Sequence, residues 1–521
     1  MGKNRPNIVF AFADDWGRYA SAYVEYQDEG TVNELIDTPN FDRVASEGAL
    51  FLNAYVPAPS CTPCRSSILS GKYFWETGLG AILQGAVWDE NIPTYPLILE
   101  ESGYHIGYSY KVWRPGSNIN APYGGDRTKY ESHGENFNRF SHFVTGNQNA
   151  MGKEGAKQYL LNETRNNFKS FLEDRPGDDP FCFWWGPTNT HRTWQRGSGK
   201  ALWGINPDDL KGRMPEFFPD VHDVREDFAD YLGECMAVDA GLGEIIQCLE
   251  EIGELDNTVI VVSGDHGIPG MPRSKTTLYD NGCEVSLAIR WPGQIPSGRI
   301  VEDFVNLMDL APTFLDVADV KGSENMSGHS LLKVLKSDKN GVVDKQRDFV
   351  VTGRERHVAA AREGYLPYPT RAIRTDKYLY IRNYAPDRWP MGDPRGLDDP
   401  DTEPPIFERL CYSTSVAYSE IDAGPTKAWM VHHRSDENVK DIYNLSFGKR
   451  PEEELYDVTT DPDSMDNLAG ISEYDEIRIH LKERLAAIQV DNHDPRETEN
   501  PCRFEFSPYA DPVAKEYLPK L

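Results

Sequence analysis

Two apolar runs, far apart in the sequence, constrain the fold of this chain more than any other feature. Residues 7–13 read NIVFAFA and residues 258–263 read TVIVVS, and neither run alternates apolar with polar side chains. An uninterrupted run of this kind is typical of a strand buried on both faces, as in a parallel sheet covered by helices. We therefore predict a large, mostly parallel sheet sandwiched between helices.

The residues around the second run support an α/β fold. A strand is predicted at 285–291 and a helix at 307–317. Ahead of the second run, apolar residues recur at helical spacing, and Gly253 follows as a stop signal. Strands alternating with helices are typical of α/β proteins. The apolar positions of the long predicted helix are Phe228, Tyr231, Leu232, Cys235, Leu242, Ile245, Ile246, Leu249 and Ile252.

The pattern changes after about residue 365. Short predicted strands at 371–375 and 378–382 are separated by loops rich in Pro, Gly and Asp. A final helix carries Ile477, Leu481, Leu485 and Ile488 on one stripe. A chain of 521 residues is also longer than one ordinary core. We predict a large α/β domain over residues 1–365 and a smaller α+β domain with a short antiparallel sheet over residues 366–521.

The charge balance argues against one class of partner. The chain has 54 Lys and Arg residues against 83 Asp and Glu residues, a net charge of −29. Nucleic acid binding needs a basic surface, so no nucleic acid partner is expected. A bilayer span needs about 18 consecutive apolar residues, and the sequence contains no such run, so no membrane partner is expected either.

The N-terminal residues, MGKNRPNIVF, lack the basic, apolar and cleavage regions of an export signal. Two interpretations stay open. Either the native protein is periplasmic or secreted and its signal is absent from this sequence, or the protein is cytoplasmic. The eight cysteines are too scattered to predict a disulfide framework.

Each of the two apolar runs ends in a pair of ionisable residues, Asp14-Asp15 and Asp265-His266. The carboxyl ends of parallel strands meet at one edge of a sheet, where ligands bind. Adjacent carboxylates repel each other unless a cation is present, and oxygen-rich clusters suit Ca²⁺ or Mg²⁺. Either pair alone is explained as the cap of a helix or turn. Together the two pairs predict a metal site.

A third feature is the segment Cys-Thr-Pro-Cys-Arg at residues 61–65. Pro63 suits the first turn of a helix and Gly71 suits its end. Cys61 would then lie at a helix N-terminus, which favours an anion, and Arg65 would add a positive charge. A redox dithiol and half of a zinc site are the alternatives. Neither gives a role to Arg65, and no second Cys/His pair stands at zinc-ligand spacing.

The pattern Cys61-x-Pro-x-Arg65, with Gly71 further on, resembles the signature of the type I sulfatases of the alkaline phosphatase-like superfamily. The overall pattern is most similar to the N-sulfoglucosamine sulfohydrolase (heparan N-sulfatase) group. Six further segments resemble the family in the same order, and together they cover nearly the whole chain. They are 7–15, 107–113 (GYSYKVW), 181–191 (FCFWWGPTNTH), 263–267 (SGDHG), 275–282 (KTTLYDNG) and 454–468.

The resemblance implies both a cofactor and a set of catalytic residues. Cys61 would be oxidised to formylglycine (3-oxoalanine) by a formylglycine-generating or anaerobic sulfatase-maturating enzyme, and the hydrated aldehyde would attack sulfur. His191 or Lys275 would protonate the leaving group. One Ca²⁺ would be held by Asp14, Asp15, Asp265, His266 and the modified Cys61, and the sulfate would be surrounded by Arg65, Lys111 and Lys275.

The predicted function is hydrolysis of sulfate from a sulfated carbohydrate, with exo action on glycan fragments. A hydrolase specific for N-sulfoglucosamine and a phosphonate or phosphate diesterase of the same superfamily stay open, as does a glycan-binding protein without turnover. Aromatic and guanidinium groups that stack on or pair with sugars are the candidates for substrate contact. These candidates are Trp113, Trp194, Trp203, Arg388 and Trp389.

Three positions depart from the pattern common in the family. Cys64 stands where most members have Ser or Ala, and His266 stands where many have Asn. A nitrogen ligand at position 266 leaves a softer metal than calcium open. Lys111 is followed by Val112 and Trp113, whereas many members carry Lys-x-His. One histidine expected from the family pattern is therefore missing.

Overall fold

The structure is a computed structural model and describes residues 5–116, 122–322 and 324–512. The described residues form 13 strands and 14 α-helices. The strands are β1 (Asn7–Ala13), β2 (Ala49–Phe51), β3 (Ala54–Tyr55), β4 (His105–Tyr110), β5 (Phe181–Gly186), β6 (Thr258–Gly264), β7 (Leu287–Arg290), β8 (Arg299–Val301), β9 (Val305–Asn306), β10 (Phe349–Arg354), β11 (Thr370–Thr375), β12 (Tyr378–Asn383) and β13 (Glu453–Asp457). The helices are α1 (Pro39–Ser46), α2 (Cys61–Ser70), α3 (Tyr95–Glu101), α4 (Phe140–Met151), α5 (Lys153–Glu173), α6 (His222–Glu251), α7 (Asp280–Cys283), α8 (Leu310–Val317), α9 (Leu332–Leu335), α10 (Phe407–Tyr412), α11 (Pro425–His432), α12 (Lys440–Phe447), α13 (Asp475–Asp491) and α14 (Pro495–Thr498).

The central sheet has seven strands in the order β4-β5-β1-β6-β7-β2-β8. Strand β1 pairs in parallel with β5 and with β6, and β4 pairs in parallel with β5. Strand β7 runs antiparallel to its neighbours β6 and β2. The prediction of a mostly parallel sheet is confirmed, with β7 as its antiparallel member.

Both faces of this sheet are buried, which explains why its strands do not alternate. In β1, the side chains of Ile8, Phe10 and Phe12 enter one core cluster, and those of Val9 and Ala11 enter the other. Because successive side chains of a strand point to opposite faces, an apolar residue is needed at every position. The apolar run at residues 7–13 is therefore a direct consequence of two-sided burial.

Helix α6 packs on the second face of the sheet and confirms the long helix predicted ahead of β6. Its predicted apolar residues up to Leu249 are buried, and the helix ends at Glu251. Gly253, two residues later, has a φ of 72°, a conformation that glycine adopts without steric cost. The stop signal in the sequence thus marks the true end of the helix. None of the helices in the described parts of the chain is long and apolar enough to cross a membrane.

A second, antiparallel sheet has the order β10-β11-β12-β13. The strands predicted at 371–375 and 378–382 are its central pair, and the predicted final helix is α13. Strand β10 lies before residue 366, so this sheet also draws on residues that were assigned to the large domain. The division at residue 365 stays a prediction. Residues 1–4 and 513–521 of the two predicted domains lie outside the described residues.

Candidate active site

The register of β1 against β6 brings the two ionisable pairs, Asp14-Asp15 and Asp265-His266, together. Ala13 is paired with Gly264, so that the next residues, Asp14 and Asp265, leave the sheet side by side. The backbone N–H of Asp15 donates a hydrogen bond to Asp265 Oδ1 at 2.7 Å. Asp15 also has a φ of 55°, which is uncommon for a residue other than glycine and turns the chain sharply at the sheet edge. The predicted convergence of the two pairs is confirmed.

Helix α2 delivers Cys61 to this sheet edge as its first residue. Ser60 ahead of it is extended, and Gly71 closes the helix with a φ of 68°. Cys61 is 3% exposed, and its Sγ lies 3.4 Å from Nε2 of His266. The free N–H groups of the first helical turn and the helix dipole both favour an anion at this point. The sequence therefore predicted the position of Cys61 correctly.

Arg65, one turn further along α2, is fully buried beneath the site. Its Nε donates to Asp265 Oδ2 at 2.9 Å, and its Nη2 donates to Asp14 Oδ1 at 3.1 Å. Nη1 donates to the carbonyl oxygens of Lys111 and Val112. All three nitrogens are therefore occupied by the protein. Arg65 therefore fixes the positions of Asp14 and Asp265, one residue from each ionisable pair.

Two lysines approach the site from different directions. Lys111 follows β4, and its Nζ lies 2.6 Å and 2.8 Å from the two carboxylate oxygens of Asp14. Lys275 comes from the loop after β6, and its Nζ lies 3.0 Å from Asp15 Oδ2. Both side chains are at least nine-tenths buried. The structure thus brings together both lysines that the resemblance implied.

His191, in the loop after β5, lies at the more open side of the site. Its Nε2 is 3.8 Å from Asp15 Oδ2, and its side chain is 35% exposed. Nδ1 lies 2.8 Å from the carbonyl oxygen of Arg192, so Nδ1–H is the donor and Nε2 is free to take or give a proton. Partial burial and the neighbouring Lys275 lower the pKa of His191.

The same edge meets the requirements of a metal site. Ligand atoms of Asp15, Cys61 and His266 lie within 4.8 Å of one another, as do those of Asp14, Cys61 and Asp265. Asp15 Oδ1 is buried and accepts no hydrogen bond from any residue that the structure describes. Burial and the neighbouring carboxylates raise the pKa of Asp15 to about 7 despite Lys275. Three carboxylates and one imidazole suit a hard divalent cation such as Ca²⁺, whose charge would remove this repulsion.

Two further residues of the site, Asp422 and His357, were missed in the sequence. Asp422 Oδ2 lies 3.1 Å from Lys275 Nζ. His357 Nδ1 lies 2.8 Å from the hydroxyl of Ser60, immediately before Cys61. Both residues lie in irregular segments after β10, and no motif or periodic pattern surrounds either of them. Their roles depend on long-range packing, which a single sequence does not show.

Cys64 does not behave as half of a redox pair. It is fully buried in the core beside Ile68, and neither Cys61 nor Cys64 forms a disulfide. Burial raises the pKa of the Cys64 thiol well above its usual value, whereas redox dithiols depend on a lowered thiol pKa. Cys64 is also absent from the possible metal groups within the described parts of the chain. The dithiol and zinc interpretations therefore lack support.

The position of Trp113 contradicts the prediction that its ring contacts the sugar. Its side chain is 4% exposed, its indole N–H donates to Ser66 Oγ at 2.8 Å, and its ring packs edge-on against Trp88. A ring enclosed in this way offers no face to a sugar. Trp113 belongs to the core that supports α2.

The remaining candidates for sugar contact are also partly engaged. Arg388 pairs with Glu505 at 2.8 Å and donates to the carbonyl of Pro367, so its guanidinium is occupied. Lys157 lies over the ring of Trp203, and Arg192 over that of Trp194, which is 9% exposed. The half-buried Trp389 stays a prediction.

Comparisons with known proteins match this geometry. The sulfatase family model covers residues 6–320, and the model of the C-terminal region of N-sulphoglucosamine sulphohydrolase covers residues 270–409. An ulvan-active sulfatase of Formosa agariphila is 25% identical over 496 residues, covering 92% of this chain and 74% of that protein. Human N-sulphoglucosamine sulphohydrolase is 25% identical over 520 residues, covering 94% and 91%. An N-acetylglucosamine-6-O-sulfatase of Bacteroides thetaiotaomicron is 26% identical over 498 residues, covering 78% and 84%.

Solved structures show the same fold. One, in complex with its substrate D-glucosamine-2-N,6-O-disulfate, has a TM-score of 0.61 at 21% identity and covers 95% of this chain and 99% of its own. The phosphonate monoester hydrolase of Agrobacterium radiobacter has a TM-score of 0.62 at 18% identity, covering 94% and 96%. The family model spans more than half of the chain, and its residues form one site in the structure. The chain belongs to the sulfatase family.

Proposed function

We propose that this sulfatase releases sulfate from a sulfated carbohydrate, using a formylglycine made from Cys61 and one bound Ca²⁺. One observation carries the proposal. Cys61 is the first residue of helix α2, and its Sγ lies 3.4 Å from His266. Carboxylates lie around it, and two buried lysines pair with these carboxylates. Buried charges gathered around one small side chain in this way are typical of functional sites.

Each of the two implied groups has a defined place and a defined contribution. Cys61, once converted to the hydrated aldehyde, would supply the oxygen nucleophile for attack on sulfur. Asp14, Asp15, Asp265, His266 and the modified residue 61 would hold a divalent cation, which would supply positive charge to the sulfate group. Without the cation, four carboxylates of the site, including Asp422, face the three cations Arg65, Lys111 and Lys275. With a divalent cation bound, the site would be positive overall, which suits an anionic sulfate ester.

The protein's own residues divide the remaining work. The ammonium groups of Lys111 and Lys275, which pair with Asp14 and Asp15, stabilise charge that develops on the sulfate oxygens. Arg65 holds Asp14 and Asp265 in place from below. His191 is the most accessible titratable group of the site, and its Nε2 takes up a proton from solvent and delivers it to the leaving oxygen or nitrogen.

The relatives support a glycan substrate. They include an ulvan-active sulfatase, an N-sulphoglucosamine sulphohydrolase and an N-acetylglucosamine-6-O-sulfatase, and the last two names specify a sulfated amino sugar. We propose a sulfated glycan fragment as substrate, processed from its end, with O-sulfate and N-sulfate as the two candidate bonds. A sulfated glycan fragment is an anion that does not cross membranes unaided, so we propose that the enzyme acts in the periplasm or outside the cell.

Burial of Cys61 has a consequence for maturation. At 3% exposure the thiol is out of reach of another enzyme once the chain has folded. We therefore propose that a formylglycine-generating or anaerobic sulfatase-maturating enzyme modifies Cys61 before folding is complete.

The test is turnover by protein produced together with a formylglycine-generating enzyme. Sulfate release is measured from glucosamine 6-sulfate, N-sulfoglucosamine and 4-nitrophenyl sulfate, alongside hydrolysis of an aryl phosphodiester and an aryl phosphonate. We expect a sulfated sugar to have the highest kcat/KM and the Cys61→Ala variant to be inactive. A preference for the phosphodiester or phosphonate would contradict the proposal.

A further inference from the structure

Asp422 places a carboxylate in a site that must bind an anion, and the other contacts of the site do not explain why. Its Oδ2 is buried against Lys275 at 3.1 Å. Lys275 already has a counter-charge in Asp15 at 3.0 Å, so Asp422 is not needed to balance that lysine. A second carboxylate at this point weakens the attraction for sulfate. A role in recognising another part of the substrate would explain its presence.

Asp422 is both ionised and reachable. Burial alone would raise its pKa, but Lys275, His191 and His357 outweigh burial and hold the pKa of Asp422 below its usual value. The side chain remains 18% exposed. Among the described residues, none donates a hydrogen bond to Oδ1, which leaves one carboxylate oxygen available beside the reacting position.

The segment around Asp422 is fixed to the catalytic loop. Glu420 pairs with Arg362 at 2.8 Å, and both side chains are almost fully buried. The hydroxyl of Thr276, next to Lys275, donates to the carbonyl oxygen of Glu420 at 3.1 Å. Asp422 is therefore held in place before substrate arrives, and a preorganised acceptor binds without an ordering cost.

The charges around Asp422 define what it can accept. An ionised carboxylate accepts hydrogen bonds only, so its partner must be a donor. A substrate ammonium would be repelled by Lys275, and a uronate carboxylate or second sulfate would be repelled by Asp422 itself. A neutral hydroxyl group meets neither repulsion.

We propose that Asp422 is a specificity residue that accepts a hydrogen bond from a neutral hydroxyl of the sugar near the sulfate. This inference rests on the proposed function, since it concerns the substrate of the same site. It assigns the exposed oxygen of Asp422 to sugar recognition and the buried oxygen to Lys275. The enzyme would then reject sugars that carry a second anionic group at that position.

The test compares a sugar sulfate with an aryl sulfate that has no neighbouring hydroxyl. The probes are 4-nitrophenyl sulfate and whichever of glucosamine 6-sulfate and N-sulfoglucosamine the wild type hydrolyses faster. For Asp422→Asn we expect kcat/KM for the sugar to fall by about 10- to 100-fold, the range for a hydrogen bond to a charged group. The aryl sulfate reports any effect of the variant that acts through Lys275 alone, so the loss of kcat/KM for the sugar should exceed the loss for the aryl sulfate by at least about 10-fold. The exposed Asp398 provides a matched control as Asp398→Asn, which should leave both rates unchanged.

A second measurement does not depend on the variant folding well. Monodeoxy analogues of the same sugar sulfate are assayed with the wild type. For one of them, kcat/KM should be lower than for the parent sugar by the factor that Asp422→Asn costs. Equal losses of Asp422→Asn on both substrates would show that Asp422 only positions Lys275 and would overturn the inference. Equal rates of the wild type on every deoxy analogue would overturn it as well. A wild type that is active on the aryl phosphodiester alone would instead reject the proposed function, and this inference with it.

Discussion

Arg65 Nε lies 2.9 Å from Asp265 Oδ2, and neither side chain has any solvent exposure. This ion pair ties helix α2, which carries Cys61, to the end of β6, which carries half of the predicted metal site. Because Arg65 also reaches Asp14 at the end of β1, one guanidinium sets the spacing of three catalytic segments. A buried charge of this kind is strongly destabilising when its partner is lost.

The Arg65→Lys variant tests this role. Lysine keeps the charge but not the fork that contacts two carboxylates and two carbonyl groups at once. We expect kcat/KM for a sulfated substrate to fall by at least about 100-fold, as when one preorganised catalytic donor is lost. Arg371, fully buried with Asp494 at 2.7 Å outside the site, provides the control. Arg371→Lys should lower the melting temperature while leaving the kcat/KM of the folded fraction within a few-fold, and equal losses of activity would contradict the assignment.

Calcium should stabilise the folded chain as well as support turnover. A ligand at 100 times its dissociation constant contributes about 2.7 kcal/mol to the free energy of unfolding. We expect thermal unfolding to shift upwards with added Ca²⁺ and back with a chelator. Asp15→Asn should abolish the shift, whereas Asp230→Asn, at a buried carboxylate that binds the backbone of Gly197 and Gly199, should keep it. A chelator without effect on either activity or melting temperature would count against the metal site.

The burial of Glu234 predicts how the free energy of unfolding depends on pH. Glu234 is 2% exposed in helix α6 and accepts hydrogen bonds from Ser141 and Asn189, and burial raises its pKa to about 7. Since the folded pKa lies above the unfolded value, the stabilisation is complete below the unfolded pKa of about 4.3 and is lost as pH rises through about 7. Relative to Glu234→Gln, the wild type should lose up to about 3 kcal/mol of unfolding free energy between pH 4.5 and 7.

Urea denaturation at several pH values checks this expectation. Glu250→Gln, at an exposed position near the end of the same helix, is the control and should follow the wild type. Identical pH dependence in the wild type and Glu234→Gln would mean that Glu234 is ionised in the folded protein.

Cys64→Ala separates the roles of the two cysteines in the segment 61–65. Cys64 is fully buried in the core, so the truncation should cost about 1 kcal/mol of stability and leave sulfate release within a few-fold of the wild type. Cys61→Ala should fold equally well and release no sulfate. If the two variants lost activity together, the pair would have to act as a unit, and the dithiol interpretation would regain support.

Much of the site could be predicted because its determinants are local. The apolar runs specify β1 and β6, and the parallel register that follows places Asp14 beside Asp265. Pro63 and Gly71 bound α2, so the position of Cys61 at its start follows from helix end signals alone.

The rest depends on packing between distant segments. The ring of Trp113 is buried because Ser66 and Trp88 happen to enclose it, and its residue type gives no sign of that. Asp422 reaches Lys275 across 147 positions of sequence through the loop that Arg362 and Glu420 secure. Strand β10 joins the smaller sheet by pairing with β11, although it precedes the change in composition that suggested a boundary.

The most direct test of the central claim is the mass of the tryptic peptide that ends at Arg65, measured in the same preparations as sulfate release. We predict that coproduction with a formylglycine-generating enzyme replaces the Cys61 thiol by an aldehyde. Sulfate release should then rise in proportion to the aldehyde fraction. Full sulfate release from protein that carries only the Cys61 thiol, or from Cys61→Ala, would contradict a formylglycine mechanism.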